Sequence, residues 1–394
     1  MKNQKISLVL LLCNLFIAFL GIGLVIPVMP SFIKELGLNG EIMGYLVAAF
    51  ALAQLIASPF TGVWVDKVGR KPMIVFGLFL FSLSELIFAV GSHISLLFLS
   101  RILGGISAAF IMPAVTAFVA DITTLKERPK VLGYVSASIS AGFIIGPGIG
   151  GFIAEIGVRA PFYFAAVIAL AAALFSMIIL KEPLTKEELA AGSQSSGKVN
   201  IWSELKKSFQ PKYLVPLLIV FVLAFGLAAY ETMFSLFVDE KFGFTPKDIS
   251  VIITVGAVFG VIAQVVFFGK LVEWLGEKKL IQVSLVMASV FMFVSVFVSS
   301  YAMIMAVTFI VFLGCDILRP AITSLLSKIA GNEQGFVAGM NSTYTSLGNI
   351  IGPALAGILF DINLNLPYIF AGAILMVGFV MTVMWKSSGK IEEG

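Results

Sequence analysis

The stretch GFIIGPGIGGFIAEIGVRAPFYFA, Gly142 to Ala165, overlies GNIIGPALAGILFDINLNLPYIFA, Gly348 to Ala371, when the chain is slid on itself by 206 residues. Ten of those 24 positions are identical, including Gly146-Pro147 over Gly352-Pro353, Pro161 over Pro367 and Phe164 over Phe370. At an offset of 207, Gly62-Val63-Trp64-Val65-Asp66-Lys67-Val68-Gly69 overlies Gly269-Lys270-Leu271-Val272-Glu273-Trp274-Leu275-Gly276, and Pro113 overlies Pro320. Shared apolarity aligns hydrophobic segments in general, but it does not align Gly-Pro pairs and loop charges. The chain reads as two copies of one unit.

Each copy carries six apolar runs near twenty residues, the length needed to cross the hydrocarbon of a bilayer. Only a helix or a closed barrel satisfies its own backbone there. Helices are expected at 6–28, 43–64, 73–90, 95–119, 131–153 and 161–180, then at 213–237, 249–271, 280–298, 302–326, 336–360 and 367–385. The expected fold is an all-α integral membrane protein, twelve transmembrane helices in two pseudo-symmetric six-helix bundles, 1–180 and 213–394. The polar stretch 181–212, with Glu187, Glu188, Gly192-Ser193-Gln194-Ser195-Ser196-Gly197 and Lys206-Lys207, reads as a cytoplasmic linker.

Composition agrees. Hydrophobic residues make up 59% of the 394 and charged residues 12%, against roughly 25% charged in a soluble domain. The mean hydropathy is +1.05. So few charges cannot coat a water-facing surface. The formal charge of +4 is small, and no nucleic-acid partner is expected. Cys13 and Cys315 both fall in apolar runs and read as small core residues, giving neither a disulfide framework nor a metal set. The first run continues past Ala18 to Val28, longer than the core of a secretory signal.

Positive charge fixes orientation. With both termini in the cytoplasm, inner segments hold twenty Lys and Arg residues, and outer loops hold only Lys34, Arg159, Lys241 and Lys247. A multi-pass protein of the cell inner (plasma) membrane is expected, functioning as a monomer and without a cofactor.

Duplicated helical units describe carriers that work by alternating access about a site near the membrane midplane. Two motifs fit gating. The first is Gly62-x-x-x-Asp66-Lys67-x-Gly69-Arg70-Lys71, a tight interhelical turn whose charges pair in one conformation and separate in another; a solvated basic loop is the plainer reading. The second copy repeats the spacing with Glu273, Gly276, Lys278 and Lys279. The other motif is Gly142-x-x-x-Gly146-Pro147-x-x-Gly150-Gly151, where small residues admit a neighbouring helix and the proline allows a bend; packing alone also accounts for it.

Charges deep in apolar runs are expensive, about 2.5 to 3.5 kcal/mol each on insertion scales, and read as functional by default. They are Glu85, Arg101, Glu231, Asp316 and Arg319. A carboxylate surrounded by Phe and Ala is poorly hydrated, so it can hold a proton and release it when a cation arrives. Glu231, in Ala228-Ala229-Tyr230-Glu231-Thr232-Met233-Phe234, has no basic residue within a turn and is the first candidate for proton or cation binding. Asp316 is the second, with Arg319 one turn on as either its neutraliser or a separate group. Arg101 either snorkels to the outer interface or partners a carboxylate or water in a proton path. Glu85 fits a structural hydrogen bond or a coupling role. His93, the single histidine, falls in an outer loop. Phe234 and Phe312 lie one turn from the acids, Phe50 shares a face with Gln54, and Tyr134 shares one with Ser138. Such rings and acids suit large amphipathic cations.

These residues resemble the major facilitator superfamily, specifically twelve-helix drug:proton antiporters of the NorA/Bmr type, along essentially the whole chain. The resemblance is carried by GIGLVIPVMP at 21–30, GVWVDKVGRKP at 62–72, SRILGGISAAFIMP at 100–113, GFIIGPGIGGF at 142–152, AYETMFSLF at 229–237, CDILRPAIT at 315–323 and AGNEQGFVAGMNSTYTSLGNIIGP at 330–353. It implies export of varied drugs and dyes in exchange for protons. It also implies that Glu231 and Asp316 form the acidic coupling and binding pair, with Arg101 as the fourth helix's arginine. Phe19, Ile22, Ile26, Phe50, Gln54, Met112, Tyr134, Phe143, Phe312, Asn341 and Asn349 fall on helices that line the family's pocket. Cys315 stands where close relatives are expected to carry an aromatic residue.

Two other classes are weaker. Uptake or symport of a nutrient uses the same acids in the opposite direction. An intramembrane enzyme needs a nucleophile or metal cluster, which one histidine and two separated cysteines do not supply.

Overall fold

The computed structural model of the chain describes residues 2–124, 126–185, 201–331 and 333–385, which are helical through every apolar run and contain no strand. The expected linker residues Glu187, Glu188 and 192–197 lie outside the described residues, as do Lys386 and Lys390. The first copy supplies α1 (Lys2–Val25), a 3-10 turn (Ile26–Val28), α2 (Met29–Glu35), α3 (Gly40–Val68), α4 (Arg70–Val90), α5 (Ile94–Ile122), α6 (Arg128–Ile153) and α7 (Ala160–Ile179). A short α8 (Ile201–Ser208) precedes the second copy. That copy contains α9 (Pro211–Phe242), α10 (Pro246–Val294), a 3-10 turn (Ser295–Phe297), α11 (Tyr301–Ala330), α12 (Gln334–Ile362) and α13 (Leu366–Met384).

Among the described residues eleven helices are long and apolar enough to cross a membrane, and α10 is long enough to do so twice. Its 49 residues extend roughly 70 Å, over twice the hydrocarbon thickness. The helix breaks at Gly276 (φ 71°, ψ 158°), the repeat partner of Gly69 (φ 111°, ψ 163°), which separates α3 from α4. The duplication thus reaches the backbone: both turns use a conformation that an L side chain rarely adopts. Several helices overrun their expected ends, as α3 does at 40–68 against 43–64. Hydrogen bonding carries the helix beyond the apolar core into the polar boundary, where hydropathy falls but the helix continues.

The chain forms two compact units, 1–38 with 49–197 and 244–251, and 39–48 with 198–243 and 252–394. In the first, α1 packs on α6 and α7, and α4 packs on α5 and α7. Close approach at glycines makes this possible: a Cβ on Gly142 would fall 2.7 Å from the Phe16 carbonyl oxygen, and one on Gly146 would fall 2.6 Å from that of Leu20. In the second, α9 packs on α12, α13 and α11, and Gly352 meets the Phe225 carbonyl oxygen at 2.5 Å in the same sense. The first and fifth helices of each copy therefore seat alike. In the first unit, Lys247 pairs with Glu155 at 3.0 Å. In the second, Asp361 accepts from the N–H groups of Gly40 and Glu41 at 2.9 Å each, capping α3.

The outside is apolar. Ile178, Val265 and Phe297 are 76%, 79% and 80% exposed, which suits hydrocarbon and not water. Cys13, expected in the core, belongs to this exposed surface, whereas Cys315 is buried. An apolar run is equally apolar on its lipid side and its core side, so the sequence does not separate the two.

A polar cluster ties α8 to the second unit. Lys207 pairs with Glu333 at 2.7 Å and lies over the Phe336 ring at 4.5 Å. Tyr213 donates to the other Glu333 oxygen at 2.5 Å. The hydrogen bonds from Lys207 and Tyr213 hold the Glu333 carboxyl below the usual range, and the bond to Glu333 raises the Lys207 ammonium. The Glu333 contribution is present above the free carboxylate value and is lost as pH falls through its lowered value. The Lys207 contribution is present below the free lysine value and is lost as pH rises through its raised one. Protection of the α8 amides, taken relative to the intrinsic exchange rate at each pH, is therefore expected to be greatest near neutrality and to fall toward both extremes. Glu333→Gln should lower that protection at neutral pH and remove its acid-side fall, as read by hydrogen–deuterium exchange of 201–213.

Candidate functional site

Glu231 sits on α9 between Tyr230 and Thr232, both buried, yet its own side chain is exposed. The helix turns this carboxylate to an accessible face while burying its neighbours. Asp316 on α11 and Arg319, one turn further on, lie within electrostatic reach of it. Arg319 is exposed and acts on Asp316 without a close ion pair among the described residues, so of the two readings left open by the sequence the close pair is not formed. Cys315 is buried beside the two acids. The structure thus gathers two carboxylates and one guanidinium from α9 and α11, none of them locked to another.

An aromatic cluster backs them. Tyr230 stacks on Phe234 at 5.7 Å, and meets Phe312 edge-on at 6.1 Å and Tyr368 at 5.3 Å. The Tyr230 hydroxyl shares a hydrogen bond with Thr308 at 3.1 Å. Phe234, expected beside the ligand, is buried within this cluster, and Phe312 is nearly so. Asn341 and Asn349 are half-buried on α12.

The first unit places its candidates on several helices. Phe19 on α1 meets Phe143 on α6 at 4.9 Å between ring centroids. Ile22 on α1, Ile26 in the 3-10 turn and Met112 on α5 are half-buried, and Tyr134 on α6 is exposed. Phe50 and the main chain at Gln54 on α3 lie against Gly104 and Gly105 of α5: added Cβ atoms there would meet the Phe50 ring at 3.0 Å and the Gln54 main-chain nitrogen at 3.0 Å. Arg101 does not snorkel. It pairs with buried Glu85 at 3.2 Å and lies over the Phe88 ring at 4.2 Å. Among the described residues, Glu85 Oε2 and Arg101 Nε are buried without a hydrogen-bond partner. His93 stands at the α5 N-terminus, exposed.

The helix-joining loops hold paired charges. Arg70 reaches Asp121 on α5 at 2.7 Å, Asp66 at 3.2 Å and the Val65 carbonyl at 2.9 Å. Glu182 accepts from the backbone N–H of Arg70 at 3.1 Å and of Lys71 at 2.8 Å, placing its charge on the positive end of α4. Nothing lies within 4 Å of a Cβ on Gly62, whereas one on Gly69 would meet Glu182 Oε2 at 2.7 Å. In the second copy, Glu277 pairs with Lys328 at 2.6 Å and accepts from Ser324 at 3.1 Å. Glu277 and Lys328 are the repeat partners of Arg70 and Asp121 at the offset of 207, with the signs exchanged. Sequence reading found Glu273 and missed this pair. It also missed Asp121 and Glu182, whose partners are remote along the chain. Applying the repeat offset to Arg70 itself was the available signal.

On α6, Gly142, Gly146 and Gly150 face α1, while a Cβ on Gly151 would meet Ser250 at 2.5 Å. Pro147 lies inside the helix. Among the described residues no group of three or more His, Cys, Asp or Glu is placed to hold a metal.

Duplicated helical units with membrane-embedded carboxylates and charge-paired loops define a membrane transporter. The sequence profile described as Major Facilitator Superfamily matches residues 11–245 and 217–393, and the chain belongs to that superfamily. It is 60% identical over 385 residues to Multidrug resistance protein 2 of Bacillus subtilis (strain 168), covering 98% of this chain and 96% of that protein. Multidrug resistance protein 1 of the same organism is 53% identical over 393 residues, 100% of this chain and 99% of that one. Quinolone resistance protein NorA of Staphylococcus aureus is 45% identical over 382 residues, covering 96% and 97%. Among solved structures, a bacterial homologue of the human lysosomal transporter Spinster, inward-facing and occupied, has a TM-score of 0.80 at 15% identity, covering 97% of each chain. The nucleoside transporter NupG also has a TM-score of 0.80, at 13% identity, covering 98% and 100%. These last two show the fold alone.

Reversing one member of an ion pair leaves two like charges together. Asp121→Arg and Lys328→Glu are each expected to lower transport at least about ten-fold. The exchanges Arg70→Asp with Asp121→Arg, and Glu277→Lys with Lys328→Glu, should restore it to within about three-fold. Dye transport at matched membrane expression measures this; exchanges no better than the single reversals would refute a role for the pairs.

Proposed function

We propose that the chain exports amphipathic, often cationic drugs and dyes, such as fluoroquinolones and ethidium-like compounds, in exchange for protons by alternating access. The observation that carries this reading is the accessible Glu231 carboxylate, with Asp316 in reach and no close cation locked to either. The names of the similar multidrug and quinolone resistance proteins support the substrate class. In this mechanism Glu231 and Asp316 alternate between holding a proton and meeting a positively charged substrate. Phe312 and the Tyr230 cluster give the apolar wall, and Phe234 acts through Tyr230. Arg101 sets the charge state around Glu85. Within the first unit, Phe19, Phe143, Phe50 and Gln54 are the proposed substrate contacts. The chain acts as a transporter and not an enzyme, as a monomer in the plasma membrane, with both termini cytoplasmic and its bundles at 1–180 and 213–394.

The driving force suffices. One inward proton supplies about 2.3 kcal/mol per 100 mV and about 1.36 kcal/mol per pH unit. Two protons at about 100 mV and one unit give about 7 kcal/mol, equivalent to roughly a 10⁵-fold gradient of an uncharged drug.

Ethidium efflux from energised cells tests the reading. The parent is expected to show efflux abolished by a protonophore, Glu231→Gln to lose at least about ten-fold, and Asp316→Asn to lose cationic dyes before uncharged ones. Unchanged efflux in both variants would remove the coupling role from these acids. Everted vesicles that drive dye outward under an imposed proton gradient would show uptake instead of export.

A further inference from the structure

Gly256 and Gly260 stand one turn apart on the first arm of α10, and what approaches them comes from α11 at the same spacing. A Cβ on Gly256 would lie 3.1 Å from Phe312 Cδ2, and one on Gly260 would overlap Asp316 Oδ2. The three atoms nearest that added carbon are Oδ2, Cγ and Cβ of Asp316. The helix-packing glycines Gly146 and Gly352 have different neighbours. At Gly146 and Gly352 the nearest atom is a main-chain carbonyl oxygen, of Leu20 and Phe225. At Gly260 the missing side chain makes room for a carboxylate.

The charged and titratable groups acting around this carboxylate are Arg319 on its own helix and Glu231 on α9, with the Cys315 thiol adjacent. From α10 it is faced by the bare main chain at Gly260. The seat is therefore set by the absence of one methyl group.

We propose that Gly260 is a positioning residue for cation recognition, holding open the seat of the Asp316 carboxylate and so setting affinity for positively charged relative to uncharged substrates. This rests on the reading of Asp316 as a substrate-binding acid. Carbon at residue 260 and the carboxylate oxygen need a separation near 3.5 Å, so an added methyl displaces the oxygen by about 1 Å. Charge attraction to the ligand weakens as that distance grows. An uncharged ligand held by apolar contact does not sense it.

The test uses purified full-length protein in detergent, with ethidium as the cation and Nile red as the uncharged dye, both read by fluorescence. Gly260→Ala is expected to weaken ethidium at least about ten-fold and Nile red less than about two-fold. Gly339→Ala, where an added carbon meets nothing within 4 Å, should match the parent. In an Asp316→Asn background, Gly260→Ala should add less than about two-fold, because its effect runs through that carboxylate. Equal weakening of both dyes, parental binding in Gly260→Ala, or an undiminished effect in the Asn background overturns the proposal. Should Gly260→Ala fail to fold, Gly260→Ala with Asp316→Ser carries the test. Recovery of monodisperse protein supports the seat, and no recovery overturns it. Ethidium transport by parent vesicles is measured in parallel. Absent transport with Asp316-dependent binding retained sinks the export reading and leaves the seat at Gly260; binding that never depends on Asp316 overturns it.

Discussion

A polar group without a partner in hydrocarbon costs several kcal/mol, and that penalty organises this molecule at every scale. For the backbone it forces each apolar run into a helix, and where a helix breaks, as at Gly276, it does so at the end of a crossing. For a buried side chain it selects pairing, as Glu85 has Arg101 at 3.2 Å. The loop pairs, Arg70 with Asp121 at 2.7 Å and Glu277 with Lys328 at 2.6 Å, lie at the more accessible helix ends. Glu231 and Asp316 depart from this pattern, having Arg319 only at longer range. An acid left open in such surroundings is stabilised by a proton or by a passing cation, which is the exchange a proton-coupled carrier requires.

The two copies show what the duplication preserves and what it leaves free. Gly69 and Gly276 keep the same backbone turn, and Gly146 and Gly352 keep the same close approach to the first helix of their copy. The ion pair between the loop helix and the fourth helix keeps its place but exchanges its signs, Arg70–Asp121 against Glu277–Lys328. Position answers to geometry, which repeats. Sign answers only to neutrality of the pair, which either polarity satisfies. The Glu182 carboxylate at the start of α4 adds a second anchor in the first copy by meeting the two backbone N–H groups that the helix leaves open.

Much of this was legible because the signals are local. Twenty apolar residues specify a spanning helix without reference to the rest of the chain, and a charge inside such a run is conspicuous on its own. Hence the helices, the duplication and the candidate acids Glu231 and Asp316 could be read directly. Partnership was not legible. Asp121, Glu182 and Lys328 sit near helix ends, where charge is ordinary, and nothing local marks which cation or amide each will meet. The sequence alone leaves Arg101 between two readings, and only the folded chain places Glu85 beside it. Gly260 lies in Gly256-Ala257-Val258-Phe259-Gly260, a spacing that signals close approach but not what approaches. Cys13 was assigned to the core because lipid and protein interior select the same residues.

The kind of contact available near the acids bears on the proposed breadth of substrates. Hydrogen bonds to a ligand are directional and reject molecules that cannot match them, whereas charge attraction and apolar contact tolerate varied shapes. The aromatic cluster is arranged for the second kind. Its most polar member, Tyr230, is buried with its hydroxyl turned to Thr308. Phe312 and Phe234 are fixed against it by ring contacts at 6.1 and 5.7 Å. Nearby polarity is then concentrated in the Glu231 and Asp316 carboxylates, and the main chain at Gly260 faces the second of them. A site built this way discriminates by charge and size first, and by chemical detail only weakly.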